Sequence, residues 1–194
     1  MNVEFPSRYG GNIRAFNNLV VENNLYNFAP EGNIVAKVPS GTGFMILAAS
    51  SIEIFDNIIY NNRTANTSIV SYFITEEELT DELYNPYPSN IYIHNNIYKR
   101  DKQFPHFSFT MPIGFMLAYN FWRDIPDIIY DGILDPDKIN KNGQLNKEHQ
   151  ICIIDNINAQ MSNIDAGNDF SNISTDIEEF NCQHNRIKPV TINN

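Results

Sequence analysis

Hydrophobic and polar positions in this chain follow a figure that recurs. Through residues 51–62 the aliphatic side chains of Ile52 and Ile54 alternate with Glu53 and Phe55, the period of a β-strand, and the alternation then breaks at two adjacent polar residues, Asp56 and Asn57. The same figure stands at Ile13 and Ala15, at Ile91 and Ile93, and at Ile151 and Ile153. The step is 39 residues from Ile13 to Ile52, 39 again from Ile52 to Ile91, and 60 from Ile91 to Ile151. Strands recurring in this way predict a solenoid, in which each unit buries its apolar face only by stacking on the next. The two aliphatic columns are the predicted inward-facing positions.

A third column is polar and constant. Asn18, Asn57, Asn96 and Asn156 each lie three residues after the second aliphatic position. At the strand spacing of about 4.8 Å, stacked side-chain amides can bond to one another and to the backbone at a bend, so these four residues are the predicted asparagine ladder. The residues just before them, Asn17, Asp56, Asn95 and Asp155, are expected to face solvent at the turn. Beyond the ladder run two columns, Leu19, Ile58, Ile97 and Ile157, then Val20, Ile59, Tyr98 and Asn158. The pattern leaves open which of them points inward.

A second family of apolar strings precedes the ladder strands. Residues 43–48 form one, residues 68–73 another, and residues 114–118 nearly repeat the first, so each unit is expected to hold at least two strands. The connections are long and dissimilar, covering 26–42, 75–89, 99–112 and 120–149. Loops beyond about 12–15 residues are usually functional or disordered. The acidic stretch 76–82 reads as a solvated face with room for a short helical turn. Residues 1–160 are assigned to the repeating coils. Residues 161–194, rich in Asn, Asp and Ser, are assigned to a polar C-terminal cap or tail. Residues 1–11 carry turn formers and no helix to cover an open sheet edge, so further upstream coils, or another chain, are expected over that end.

Composition narrows the function classes. The chain has 194 residues, 42% of them hydrophobic, enough for one domain with a sizeable core. A net charge of −10, with only 13 scattered Lys and Arg, argues against nucleic acid as a partner. No apolar run approaches the roughly 20 residues that span a bilayer, and no signal peptide is visible at the start of this chain. Cys152 and Cys182 fit no metal pattern, and the sequence leaves open whether they pair.

These repeats, with the loop from Asn27 to Ala36, the run from Val38 to Gly43, residues 69–72, Tyr87 and Pro88 before Ile91, and the string Phe180, Asn181 and Cys182, resemble the right-handed parallel β-helix proteins of the pectate-lyase-like superfamily. More closely they resemble bacterial parallel β-helix domain-containing proteins. The resemblance covers residues 10–100 well and the remainder in patches. It implies an all-β fold, a right-handed parallel β-helix of about four coils with long loops and a polar cap. It also implies an extracytoplasmic location and a C-terminal fragment of a longer protein.

Within that superfamily the lyases use acidic residues that hold calcium, beside a basic residue that takes a proton next to a uronate. Calcium is therefore expected only under a lyase reading, and no metal site or other cofactor is evident. The outward positions of the ladder strands hold Arg14, Glu53, Tyr92 and Cys152, then Phe16, Phe55, His94 and Ile154. His94, Glu53 and Arg14 are the catalytic candidates, a sparse set for three coils, with His94 expected to stack beneath Phe55. Asp135 and Asp137 read as turn residues. The epimerase-like Asp-Pro-His-Asp motif lacks its histidine at Asp135, Pro136 and Asp137, so that activity is not carried over. Aromatic rings with Asn and Asp neighbours suit stacking on sugars, which makes Trp122, Tyr92 and Tyr72 the candidate ligand-binding residues. The expected function is carbohydrate binding or interaction. The alternatives are a polysaccharide lyase or epimerase whose groove is completed by upstream coils, and a structural or adhesive solenoid.

Overall fold

The computed structural model describes residues 11–30, 32–109 and 112–189. Its strands are β1 (Gly11–Phe16), β2 (Leu19–Val21), β3 (Thr42–Leu47), β4 (Ser50–Phe55), β5 (Ile58–Tyr60), β6 (Ala65–Val70), β7 (Ser89–His94), β8 (Ile97–Lys99), β9 (Ile128–Tyr130), β10 (Ile151–Ile154) and β11 (Met161–Asn163). They form three parallel sheets, ordered β1-β4-β7-β10, β11-β9-β6-β3 and β2-β5-β8. This arrangement is consistent with an all-β, solenoid-like fold.

In the first sheet the register aligns Ile13, Ile52, Ile91 and Ile151, and likewise Ala15, Ile54, Ile93 and Ile153. The two aliphatic columns therefore do stack. From Ile52 onward their members are buried and join Ile59, Ile69, Tyr98, Ile128 and Tyr130 in one hydrophobic cluster enclosed by the three sheets.

The bend after each ladder strand explains the polar pair. Asn17, Asp56, Asn95 and Asp155 adopt φ between 54° and 56°, a left-handed conformation that Asn and Asp tolerate better than other side chains, and all four are exposed. The ladder asparagine that follows closes the bend. Asn57 donates from its backbone N and from Nδ2 to Oδ1 of Asn96, at 3.0 and 2.9 Å, and Asn18 does the same to Asn57, while Asn96 does so to Asn156. The orientation left open by the pattern is settled by burial: Ile59 and Tyr98 are fully enclosed, whereas Leu19, Ile58, Ile97 and Ile157 face outward.

Two expectations are corrected. Residues 114–118 are not a strand but lie in α1 (Ile113–Phe121), the single α-helix of the described residues. Leu117 and the neighbouring Ile113, Met116 and Phe121 pack on a second cluster of Ala65, Ile125, Ile129 and Ile164, a helical rather than alternating set. The strand expected there is instead β9, which pairs with β6. Residues 68–73 divide between β6 and a 3-10 turn, Tyr72–Thr75, whereas the acidic stretch 76–82 is largely exposed loop, in keeping with a solvated face, with a hydrogen-bonded turn beginning at Asp81.

Beyond β11 the chain makes an antiparallel bridge between Asn163 and Ser174 and the 3-10 turn Ile177–Phe180, whose Phe180 enters the main cluster. Cys182 is then disulfide-bonded to Cys152 in β10.

Candidate functional site

The ladder strands bring the three catalytic candidates together on the outer face of the first sheet. Arg14, Glu53 and Tyr92 occupy one row and Phe16, Phe55 and His94 the other, because residues in register and two apart share a face. Phe16 stacks on Phe55 at 5.0 Å between ring centroids, and Phe55 on His94 at 5.2 Å. Glu53 Oε2 accepts from Arg14 Nε at 3.0 Å, and Oε1 lies 3.1 Å from His94 Nε2. The other ring nitrogen of His94 lies 2.6 Å from Asn95 Oδ1.

This constellation is closed. Glu53 is 0% and His94 1% exposed. The cover is supplied by the chain's own C-terminal segment: the Ile187 N–H donates to Glu53 Oε2 at 3.1 Å, the Arg186 guanidinium lies over the Phe55 ring at 5.2 Å, and His184 meets the Tyr92 ring edge-on. A general base needs a lone pair directed at substrate within about 3 Å. Both His94 nitrogens and both Glu53 oxygens are instead engaged within the chain, as an ion-paired and hydrogen-bonded network.

The three aromatic candidates differ sharply in place. Tyr92 lies beneath the C-terminal segment and Tyr72 is buried against Tyr84, each 6% exposed. Trp122 is 67% exposed. It follows the last turn of α1 with φ 58° and ψ −110°, a backbone conformation that is costly for a bulky side chain. Its ring meets Phe104 edge-on at 4.9 Å, and a chain of contacts continues from Phe104 to Phe107 and from Phe107 to Phe115. Arg123 sits over the Phe104 ring, and Lys102 pairs with Asp124 at 2.6 Å, so charged groups rim the aromatic surface. Phe109 and Tyr119 are 96% and 90% exposed on the same helix–loop unit.

A second polar ladder escaped the sequence reading. Asn23 donates to Asn62 Oδ1, Asn62 to Asn66 Oδ1, and Asn66 Nδ2 to Asp127 Oδ1 at 2.7 Å. The spacing along the chain is irregular, which is why no column revealed it. Burial pushes the Asp127 carboxyl up from its ordinary value, against hydrogen bonds from Gln160 and Asn66 and the nearby Arg100.

Asp131, just after β9, is pushed up to about 6 by burial, although the Ser71 and Ile133 N–H groups donate to it. A carboxyl whose folded-state value exceeds its unfolded value of about 4 contributes most below that value, and the contribution is lost as pH rises through about 6. At about 1.4 kcal/mol per unit, the loss is about 3 kcal/mol. Asp131→Asn, which cannot ionise, is expected to gain about 2 kcal/mol relative to wild type between pH 4 and pH 7, the part of that loss that falls in this range. Urea unfolding at the two pH values reads this difference; parallel pH dependences of the two proteins would contradict it.

Among the described residues no group of three or more His, Cys, Asp or Glu is arranged to hold a metal ion, and no helix is long and apolar enough to cross a membrane. Asp135 caps the 3-10 turn Pro136–Lys138 by accepting from the Asp137 N–H, the turn role expected of it. Comparison of the chain with protein-family models, with curated proteins and with solved structures gives no match.

Proposed function

We propose that this chain is part of an extracytoplasmic, right-handed parallel β-helix protein of the pectate-lyase-like kind, and that it binds polysaccharide through the aromatic surface at Trp122 rather than acting on it as a catalyst. The observation that carries the reading is the Trp122 ring, largely exposed on a strained backbone and braced by Phe104. Backbone strain persists where the surrounding structure imposes it, and it concentrates at binding and catalytic sites. An exposed indole offers a flat apolar face to a sugar ring, and Arg123, Asp124 and Lys102 offer groups for hydroxyls or uronate carboxylates. The disulfide supports an oxidising compartment.

The lyase or epimerase alternative would need Glu53, His94 and Arg14 open to substrate, and the covered geometry favours binding instead. The structural or adhesive solenoid predicts no affinity for glycans. Affinity electrophoresis in gels containing acidic or neutral polysaccharide separates these readings. Trp122→Gly is expected to weaken retention at least about tenfold, as loss of a central aromatic anchor does. The same change relieves the positive φ, so thermal stability is expected to stay level or rise. Unchanged retention of the variant would remove Trp122 from the site.

A further inference from the structure

The segment that follows Phe180 is held in a different manner from the rest of the chain. Phe180 is anchored in the main core, but residues 181–188 form no regular secondary structure and lie across the outer face of the first sheet. Their attachments there are few. Among the described residues they comprise the disulfide to Cys152, the His184 Nε2 contact with Gln150 O at 2.8 Å, the His184 ring edge-on to Tyr92, the Ile187 N–H to Glu53, and the exposed Arg186 over Phe55. Arg186 Nε stands 3.8 Å from Glu53 with its side chain 59% exposed, a weak ion pair.

Holding six or more residues in one conformation opposes docking at every residue, and a covalent tether removes much of that cost by restricting the alternatives. The tether has an accessible side: Cys152 is fully buried in β10, whereas Cys182 is partly exposed. We infer that residues 182–187 are a redox-releasable strap, held down by the Cys152–Cys182 disulfide over the Glu53, His94 and Tyr92 face and freed when a dithiol reduces that bond.

The chemistry is ordinary thiol–disulfide exchange. A thiolate of the dithiol attacks the Cys182 sulfur, and the Cys152 sulfur leaves and takes up a proton. The second thiolate of the reductant then displaces Cys182, leaving two protein thiols and one oxidised, cyclic reductant disulfide. Release removes the Ile187 donor from Glu53 and the rings and charges of His184 and Arg186 from the sheet. The uncovered face then presents a carboxylate between a guanidinium and an imidazole, beside the Tyr92 ring. In the oxidised chain that set is sealed.

Hydrogen exchange on the full chain, read by mass spectrometry with and without dithiothreitol, tests the inference. Reduction is expected to raise exchange at the Ile187 amide at least about tenfold, while β4 and β7 keep their protection. Cys182→Ser is expected to show the same pattern without reductant. Unchanged protection at Ile187 in both cases would overturn the inference, since the strap would then stay docked without its tether. Loss of protection across β4 and β7 together with the strap would also overturn it, since the segment would then be an integral part of the fold.

Discussion

Asn96→Ala is expected to destabilise the fold by about 3–5 kcal/mol. Asn96 is fully buried, and its side chain serves both neighbouring coils. Its Oδ1 accepts from the Asn57 N–H and Asn57 Nδ2, while its Nδ2 donates to Ile54 O, His94 O and Asn156 Oδ1. Truncation leaves a backbone donor and carbonyls in a place water does not readily reach, and each such group costs about 1–3 kcal/mol. Asn18, at the exposed end of the same ladder, has solvent as a substitute partner, so Asn18→Ala is expected to cost under about 1 kcal/mol. Urea unfolding of the two variants measures the gradient. Equal losses at the two positions would show that the ladder does not act through burial.

Glu53→Ala is expected to cost about 3 kcal/mol, for a different reason. The carboxylate is fully buried, and alone among the residues of that face it is shared by Arg14, His94 and Ile187. Removing a buried carboxylate leaves the Arg14 guanidinium without its counter-charge and the Ile187 N–H without its acceptor, and breaking a buried pair typically costs about 3–5 kcal/mol. Arg14 has a side-chain exposure of 19% and can regain water, which sets the expectation at the lower end. Glu53→Gln retains the shape and an acceptor for Ile187, so it is expected to lose about half as much. If both variants were as stable as wild type, the network would be an incidental feature of a solvated surface. A loss in Glu53→Ala with about half that loss in Glu53→Gln supports a structural carboxylate.

The first sheet could be read from sequence because its physics repeats. The same bend needs the same left-handed Asn or Asp, and the same amide must meet its copy in the next coil, so Asn17, Asp56, Asn95 and Asp155 and the ladder itself stand at fixed intervals. The second ladder obeys the same chemistry without the period, because Asn62 bonds to Asn66 within one bend before the path crosses to Asp127 in the next coil. Residues 114–118 illustrate a limit of local pattern. The apolar string there nearly matches that of β3, yet it becomes helix because Ile125, Ile129 and Ile164 offer a surface to one helical face. Gly114 also packs so closely on His106 O that no larger side chain would fit, a contact set by tertiary structure alone.

For the candidate site the sequence placed Arg14, Glu53 and His94 on one face and anticipated the stacking of His94 beneath Phe55. It carried little sign of the cover. Residues 182–187 lack any hydrophobic period, and only Cys182 hinted at their destination. Likewise the identity of Tyr72, Tyr92 and Trp122 as aromatic residues did not reveal that the first two are enclosed, since an isolated ring on a strand or loop reads the same way whichever side it faces.

Binding without turnover is read most directly in one assay. The full chain is incubated with a panel of acidic and neutral polysaccharides, with and without calcium, while retention and the absorbance of newly formed unsaturated sugar ends are followed together. Retention on at least one polysaccharide with flat absorbance is the predicted result. Growing absorbance would contradict the account and assign the protein to the lyases.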